Sequence, residues 1–218
     1  MNRADRFANF WALLDGLETG PDSESLYSPD TAAGSIRRQN LARYLDLMTD
    51  ALPTLLLVGE APGHRGTAIT GVPFMSVRET TASPGLLSAA PFGDGFETVS
   101  DPVVIWEATS GAMWRTLDAG PRPLPLLWAA YPHHPHQPGN VHTNRQPTAA
   151  EVASGIPVVL ALAAAFEIGD IVAVGRTAQV ALGPHVTDLQ SVRHPARGGE
   201  RAFARQLQAL CAESTHSP

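Results

Sequence analysis

The sequence predicts an α/β fold, a three-layer sandwich in which a central, mostly parallel four-stranded sheet carries an N-terminal helical arm. Four short apolar segments, 54–58, 124–130, 170–174 and 190–193, are rich in β-forming residues and bounded by glycine, proline or polar residues. Helical stretches separate these segments, and strands that alternate with helices are typical of βαβ units and parallel sheets. A chain of 218 residues is long enough to bury one such core.

Residues 1–52 are predicted to form the helical arm, packed on a core of residues 53–218 within a single domain. Five apolar residues recur there at the spacing of one helical face: Phe7, Phe10, Trp11, Leu14 and Leu17. After the stretch 20–29, which is rich in Gly, Pro and Ser, Ser35 is expected to cap a second helix.

Further helices are expected at 148–166, 176–182 and 199–211, and another is expected through Trp114 and Leu117. Thr148, with Glu151 three residues later, forms a capping-box sequence. Ligands of parallel α/β sheets bind beyond the carboxyl ends of the strands. The segments that follow the predicted strands are therefore the candidate functional segments.

Composition excludes several kinds of chemistry. All 15 basic residues are arginine, so no lysine side chain can form a Schiff base, a phosphate-loop contact or a Ser–Lys dyad. The single cysteine, Cys211, excludes an internal disulfide and an all-cysteine iron–sulfur cluster, and fits a cytoplasmic protein. The longest apolar run, 156–166, is too short to span a bilayer, and no secretory leader is expected. The net charge of −6 argues against indiscriminate polyanion binding.

The first candidate segment, residues 59–66, follows the strand predicted at 54–58. It places the carboxylate of Glu60 among three glycines and a proline, on a rigid turn at the rim of the sheet. Neither GxGxxG nor GxxxxGK is present, which argues against phosphate binding. In the simpler alternative, Glu60 caps a backbone amide and the glycines only form a turn.

The second candidate segment holds four histidines within ten residues: His133, His134, His136 and His142. Such a cluster suggests zinc. However, its spacing matches no common zinc pattern, and no cysteine or nearby carboxylate completes the ligand set. We therefore expect no metal and interpret the segment as a positioned polar loop.

The third candidate segment follows the strand predicted at 190–193 and begins with His194, which a proline fixes in place. A histidine in this position can polarise a developing oxyanion. Four arginines and one glutamate give the segment a local positive charge: Arg193, Arg197, Arg201, Arg205 and Glu200. The simpler alternatives are a structural histidine at the rim and a solvated arginine face.

Three of these sequences together resemble the uracil-DNA glycosylase superfamily: GEAPG at 59–63, TGVPF at 70–74 and HPA at 194–196. The resemblance covers roughly residues 53–210 and is strongest to the bacterial branch with a GEAPG first motif. Iron–sulfur members of that branch hold their cluster with four cysteines. Since Cys211 stands alone, the resemblance implies a relative without a cluster.

The resemblance implies a monofunctional DNA glycosylase that flips a deaminated base, most readily uracil, out of DNA and hydrolyses its N-glycosidic bond. Glu60 would stabilise the sugar cation and position water, while His194 would donate a hydrogen bond to the departing base. Gly59, Ala61, Phe74 and Ala129 would contact the base. Arg65, Ser76, Asn144, Arg145, Arg193 and Arg197 would contact DNA. We expect no cofactor and no metal, and we expect a monomer.

One residue departs from the family pattern. The family reads uracil with an asparagine in the second strand, and the corresponding position here is Ala129. Three explanations stay open: Asn140 or His133 substitutes, a different base is preferred, or activity is weak. The main rival interpretation is a damage-recognising DNA-binding protein with lost catalysis, and a weaker one is a small-molecule hydrolase.

Overall fold

The computed structural model describes residues 3–98, 104–120 and 122–214. Its helices are α1 (Arg3–Arg6), α2 (Ala8–Asp15), α3 (Ala32–Ala51), α4 (Thr67–Thr70), α5 (Val77–Thr80), α6 (Ala108–Asp118), α7 (Ala149–Ala165), α8 (Arg176–Leu182) and α9 (Glu200–Ser214). Its strands are β1 (Ser23–Glu24), β2 (Leu55–Gly59), β3 (Leu126–Ala129), β4 (His134–Pro135), β5 (Asp170–Val174) and β6 (Gln190–Val192).

The central sheet has the order β3-β2-β5-β6, and every pairing within it is parallel. All five residues of β2 are buried, which explains its unbroken apolar sequence. The register places Gly59 opposite Ala129, at the carboxyl end of the β2–β3 pair. Because the strands are parallel, the residues that follow β2, β3, β5 and β6 meet at one edge of the sheet.

The helices pack on this sheet in two groups. The first group consists of α2, α7 and α8, and α8 contacts β5. In the second group α6 packs on α9, and α9 contacts β6. The predicted three-layer α/β class is therefore confirmed. The capping box at the start of α7 is also present: Glu151 N donates to Thr148 Oγ1 at 3.2 Å, and Thr148 N donates to Glu151 Oε2 at 2.7 Å.

The first helical segments share the hydrophobic core with the sheet. Phe10 and Leu14 of α2 and Leu41 and Tyr44 of α3 are buried in the same cluster as β2. The Tyr44 hydroxyl accepts a hydrogen bond from the backbone amide of Leu127, at 2.7 Å, on β3. The two-stranded β1–β4 pairing adds a second connection between this part of the chain and the segment after β3.

The predicted cap of the second helix is wrong. Helix α3 begins at Ala32, and its cap is Thr31, whose Oγ1 accepts a hydrogen bond from Gly34 N at 3.0 Å. Thr31 has the extended backbone of a cap residue, whereas Ser35 already lies in the first turn. A Cβ at Gly34 would collide with the carbonyl oxygen of Ser28, so the chain turns tightly there and the helix starts early.

Buried Asn40 connects α3 to the end of α4 and to the segment between α5 and α6. Its Nδ2 donates to the carbonyl oxygens of Thr70 and Glu97, both at 2.8 Å, and its Oδ1 accepts from Glu97 N at 2.7 Å. Through Glu97 this ties to α3 the insertion at 77–103, which is rich in Ser, Thr, Gly and Pro and whose residues 99–103 lie outside the described residues. Within the described ranges, no helix is both long and apolar enough to cross a membrane.

Candidate active site

A pocket of about 160 Å³ opens at the carboxyl edge of the sheet, where β2 and β3 end. Its lining residues come from every predicted segment and from two unpredicted ones: Tyr27, Gly59, Glu60, Ala61, Pro62, Gly63, Thr67, Pro73, Phe74, Glu107, Thr109, Trp128, Ala129, Pro132, Asn144 and His194. We call this cavity the inner pocket.

A second cavity of about 580 Å³ shares part of its lining with the inner pocket, and we call it the outer groove. Its lining includes Arg145, Arg193 and Arg197, and it shares Glu60 and His194 with the inner pocket. Glu60 and His194 therefore stand at the mouth, where the two cavities meet. Phe74, Glu107 and Ala129 line the inner pocket alone.

Glu60 is the first residue after β2, and its backbone is fixed because its carbonyl oxygen accepts from Tyr131 N at 3.1 Å. Burial raises the pKa of its side chain above the ordinary value, and a hydrogen bond from the Thr177 hydroxyl partly opposes that rise. Thr177 lies on α8, which follows β5. Glu60 is thus a half-buried carboxyl at the mouth of the pocket, with the Thr177 hydroxyl near it.

His194 follows β6, and its ring is oriented by its own loop. The backbone amide of Ala196 donates to Nδ1 at 3.2 Å, which leaves the ring proton on Nε2 in the neutral form. Burial, together with the charges of Arg193 and Arg197, lowers the pKa of His194. The neutral imidazole therefore predominates near pH 7 and presents an Nε2–H donor.

Glycine is required at position 175 to place His194. Gly175 follows β5 with a φ of +88°, a conformation that residues with a side chain rarely adopt. A Cβ there would also lie 3.2 Å from the Cβ of His194. The turn after β5 consequently packs directly against the histidine.

Phe74 forms part of the inner wall in a conformation that its neighbours enforce. Its φ is +55°, which is uncommon for an aromatic residue. Its backbone amide donates to Thr67 Oγ1 at 3.1 Å, and its carbonyl oxygen accepts from Trp114 Nε1 at 3.0 Å. These two hydrogen bonds hold the strained residue from both sides.

Ala129 lines the inner pocket at the end of β3, and neither predicted substitute for an asparagine joins it there. Asn140 is exposed, and its Oδ1 accepts from His142 N at 3.0 Å within its own loop. His133 is buried, and its Nδ1 accepts from Leu26 N at 3.3 Å. Neither is among the residues that line the pocket.

Sequence reasoning missed three residues at the site: Tyr27, Glu107 and Thr177. Tyr27 reaches the pocket from the N-terminal arm, where it stacks at 6.3 Å on Trp128 and donates from its hydroxyl to the Gly71 carbonyl oxygen at 3.2 Å. Glu107 immediately precedes α6 and resembles an ordinary cap residue. Glu107 carries one recognisable signal, Ser110 three residues later, whose hydroxyl donates to its carboxylate at 2.8 Å.

The predicted DNA-contacting residues divide into accessible and engaged groups. Arg65, Asn144, Arg193 and Arg197 are exposed. Asn144 borders both cavities, and its Oδ1 accepts from His64 N at 2.9 Å. Accessible arginines at the groove are suitable contacts for a phosphate backbone.

Ser76 and Arg145 are engaged elsewhere. Ser76 is fully buried, with its hydroxyl and backbone amide both bound to Glu79, so the prediction that Ser76 contacts DNA is corrected. Arg145 borders the outer groove, but its guanidinium binds both carboxylate oxygens of Glu151, at 2.6 and 2.7 Å, and the Asp22 carbonyl oxygen at 2.9 Å. Arg145 thus serves to hold its loop.

The histidine cluster stabilises the loop that also contains Arg145. The ring nitrogens of His134 lie 2.8 Å from the Pro62 carbonyl oxygen and 2.9 Å from the Val141 carbonyl oxygen, and they connect the segment after β2 to the segment after β4. His136 Nδ1 lies 2.9 Å from the Gln137 carbonyl oxygen. Among the described residues, no three His, Cys, Asp or Glu side chains form a group that could hold a metal ion.

Comparison with known proteins identifies the fold. No protein-family model matches the chain, and no curated protein matches it in sequence. The crystal structure of wild-type SMUG2 from Pedobacter heparinus does match in three dimensions, with a TM-score of 0.64, 12% sequence identity and coverage of 100% of both chains. SMUG2 belongs to the uracil-DNA glycosylase superfamily. At this identity the similarity establishes a shared fold.

Proposed function

We propose that this protein is a monofunctional DNA glycosylase that flips a deaminated base, most readily uracil, into the inner pocket and hydrolyses its N-glycosidic bond. The observation that carries the proposal is that the Glu60 carboxyl and the neutral His194 donor both line the inner pocket and the outer groove. The fold shared with SMUG2, a member of the uracil-DNA glycosylase superfamily, supports the same reaction class.

Glu60 would act on the sugar. In the transition state the sugar carries positive charge, and an ionised carboxylate beside it stabilises that charge and positions the attacking water. Burial makes Glu60 a stronger base than an exposed carboxylate, while the Thr177 hydrogen bond keeps the ionised form available. Water attacks the anomeric carbon, the N-glycosidic bond breaks with its electron pair going to the base, and Glu60 takes the proton of the water.

His194 would act on the departing base, where negative charge develops on an oxygen. Its Nε2–H is a donor whose orientation is fixed before the reaction by the Ala196 amide. A preorganised donor of this kind lowers the barrier by about 3–4 kcal/mol in well-studied oxyanion sites. The neutral form suffices, because a hydrogen bond and not a full proton transfer stabilises the oxygen.

Phe74 would bind the flipped base, and the arginines of the outer groove would bind the DNA backbone. A flipped base in the inner pocket has an aromatic ring to stack on, and the strained, doubly held backbone keeps that ring in place. Arg193 and Arg197 border the adjoining groove, where they would contact phosphates without reading sequence. The overall charge of −6 is compatible with this local patch.

Water is the proposed nucleophile because the sequence contains no lysine. A glycosylase that also nicks the strand commonly forms a Schiff base through an amine. We therefore expect an intact abasic strand as the product and no borohydride-trapped complex. Placement in the cluster-free GEAPG branch is part of the proposal, and iron analysis of the purified protein tests it.

Base release from oligonucleotides that contain uracil, hypoxanthine or xanthine tests the proposal. We expect release of uracil, a reduction in kcat of about 100-fold or more for Glu60→Gln, and a reduction of about 100- to 1,000-fold for His194→Gln. The matched control is His185→Gln, since His185 is exposed and lies outside both cavities. Failure of the wild-type protein to release any of the three bases would contradict the proposal.

Ala129 favours one second candidate, a damage-recognising DNA-binding protein with weak or lost catalysis. A missing bidentate contact costs about 1–3 kcal/mol of base discrimination. A binding titration beside the cleavage assay separates the two functions. Tight binding of uracil-containing DNA without base release supports the second candidate, whereas multiple turnover excludes it.

A further inference from the structure

Glu107 is a pocket carboxyl that the proposed reaction does not use. It immediately precedes α6, yet its side chain does not cap the backbone of that helix. Its Oε2 instead accepts a hydrogen bond from Ser110 Oγ at 2.8 Å. The carboxyl lies against two glycines of the loop after β2, because a Cβ at Gly63 would be 2.5 Å from Oε1 and a Cβ at Gly66 would collide with Oε2.

Its place in the cavity lining separates Glu107 from the residues that would act on the sugar. Glu107 borders the inner pocket and not the outer groove, whereas Glu60 and His194 border both. A nucleotide that flips in from the groove would place its glycosidic bond at the mouth and its base inside. Glu107 would then lie beside the base, in the same part of the cavity as Phe74 and Ala129.

The surroundings of Glu107 make its neutral form easier to populate than that of an ordinary exposed glutamate. Burial raises the pKa of this carboxyl and is the dominant cause. The Ser110 hydrogen bond and the charges of His64 and Arg65 oppose the rise, and the charge of Glu79 on α5 adds to it. A neutral carboxyl carries one O–H donor beside one C=O acceptor, which is the same pattern that a carboxamide presents.

We propose that the Glu107 carboxyl, which lines the inner pocket beside Phe74 and Ala129, hydrogen-bonds the polar edge of the flipped base and replaces the amide that Ala129 does not supply. This inference rests on the proposed glycosylase function. Uracil presents a carbonyl oxygen next to a ring N–H, and so does hypoxanthine. In its protonated form the Glu107 carboxyl donates to that carbonyl and accepts from that N–H, whereas an ionised carboxylate offers acceptors only.

Binding of an uncleavable substrate tests the proposal apart from catalysis. The probe is an oligonucleotide with 2′-fluoro-2′-deoxyuridine, and its reference is the same strand with a stable abasic analogue. The variants are Glu107→Gln, which keeps a donor beside an acceptor, and Glu107→Met, which keeps length and loses both. Glu200→Gln is the matched control. Like Glu107, Glu200 lies at the start of a helix and its carboxylate is hydrogen-bonded, in this case by Arg115, but it lies outside the inner pocket.

We expect wild-type protein to prefer the uracil strand over the abasic strand, and Glu107→Met to lose about 5- to 150-fold of that preference, the range for one bidentate contact. Glu107→Gln and Glu200→Gln should retain it within about 3-fold. The wild-type preference should weaken as pH rises, because Glu107 ionises, while that of Glu107→Gln should stay flat. Adding Ala129→Asn to Glu107→Met should restore part of the loss.

Three results overturn the proposal: no uracil preference in the wild-type protein, an unchanged preference in folded Glu107→Met, or the same pH dependence in Glu107→Gln as in wild type. If Glu107→Met fails to fold, as thermal melting would reveal, the pH comparison with Glu107→Gln still decides. A wild-type protein that prefers the uracil probe through Glu107 but releases no base would refute the glycosylase function and leave this recognition role standing.

Discussion

The ring of Phe74 lies directly against the backbone of Gly59, so closely that a Cβ at position 59 would collide with Cζ of the ring and lie 3.2 Å from Cε2. Gly59 is the last residue of β2 and pairs with Ala129 on β3. The absence of a side chain at position 59 therefore sets the position of the aromatic wall of the inner pocket.

Gly59→Ala should displace the Phe74 ring and weaken base release. Stacking of a base on an aromatic side chain contributes about 1–3 kcal/mol, so we expect kcat/KM on uracil-containing DNA to fall about 5- to 150-fold. The control is Gly20→Ala, because a Cβ at Gly20 meets no atom within 4 Å. Unchanged kinetics in Gly59→Ala would show that the ring is not the stacking surface.

The Thr177 hydroxyl should set the acid limb of the pH profile. Glu60 must be ionised to stabilise the sugar cation, so activity falls as pH drops through its pKa. Burial raises that pKa and the Thr177 hydrogen bond lowers it, because the bond stabilises the charged form. Thr177→Val removes the hydrogen bond and should move the acid limb to higher pH.

The measurement is kcat/KM against pH, which reports the groups of the free enzyme. Activity of Thr177→Val well above the acid limb should stay close to wild type, since Glu60 is ionised there in both proteins. A limb that stays in place, or that moves to lower pH, would contradict the assignment of this limb to Glu60.

The predicted site residues that the structure brings together are those whose positions depend on local sequence. Glu60 and His194 each directly follow a strand, and all strands of the sheet are parallel, so both must reach the same edge. Phe74 lies in the short turn after α4, and Thr67, seven residues earlier, holds its backbone amide. Strand periodicity and turn chemistry therefore suffice for the mouth of the pocket.

The unpredicted residues come from segments whose approach depends on tertiary packing. Tyr27 arrives from the N-terminal arm because β1 pairs with β4 and thereby brings that arm beside the end of β3. Glu107 reaches the pocket because Gly63 and Gly66 leave space for its carboxyl. Neither relationship has a spacing that a single sequence reveals. Ser76 is a different case, because Ser76 and Glu79 have the capping-box spacing in the sequence, and the start of α5 and the Ile105 carbonyl oxygen engage the Ser76 hydroxyl.

Arg193 and Arg197 should determine the salt dependence of DNA binding, whereas Arg145 should not. The first two are exposed at the groove, and Arg145 is bound by Glu151. Each phosphate contact contributes about 0.9 to the slope of log K against log salt on duplex DNA. Arg193→Ala with Arg197→Ala should therefore reduce the slope by about 2, as measured by anisotropy titrations at several salt concentrations.

Arg145→Ala provides the contrasting case. It should leave the salt slope within about 0.5 of wild type while lowering the melting temperature, because it frees Glu151 and breaks the contact to the Asp22 carbonyl oxygen. The bound arginine holds the pKa of Glu151 down to about 2, so this stabilisation is lost as pH falls from 4.5 to 2. A full-unit drop in the salt slope for Arg145→Ala would instead place Arg145 on DNA.

His133 should make the fold sensitive to mild acid. It is 1% exposed, and burial lowers its pKa from 6.5 to about 4. Between these values the unfolded chain binds a proton that the folded chain excludes, so stability is full above pH 6.5 and falls as pH drops towards 4. The difference corresponds to about 3 kcal/mol when the whole window is crossed.

His133→Gln isolates this contribution. Gln has an oxygen that can accept from the Leu26 amide, as Nδ1 does at 3.3 Å, and it cannot gain a charge. Urea unfolding at pH 7 and pH 5 should therefore show a smaller loss of stability in His133→Gln than in wild type, by about 2 kcal/mol. Burial also lowers the pKa of His134, but His134 is present in both proteins and cancels in the comparison. Equal losses in the two proteins would mean that His133 accepts a proton in the folded state as readily as in the unfolded chain.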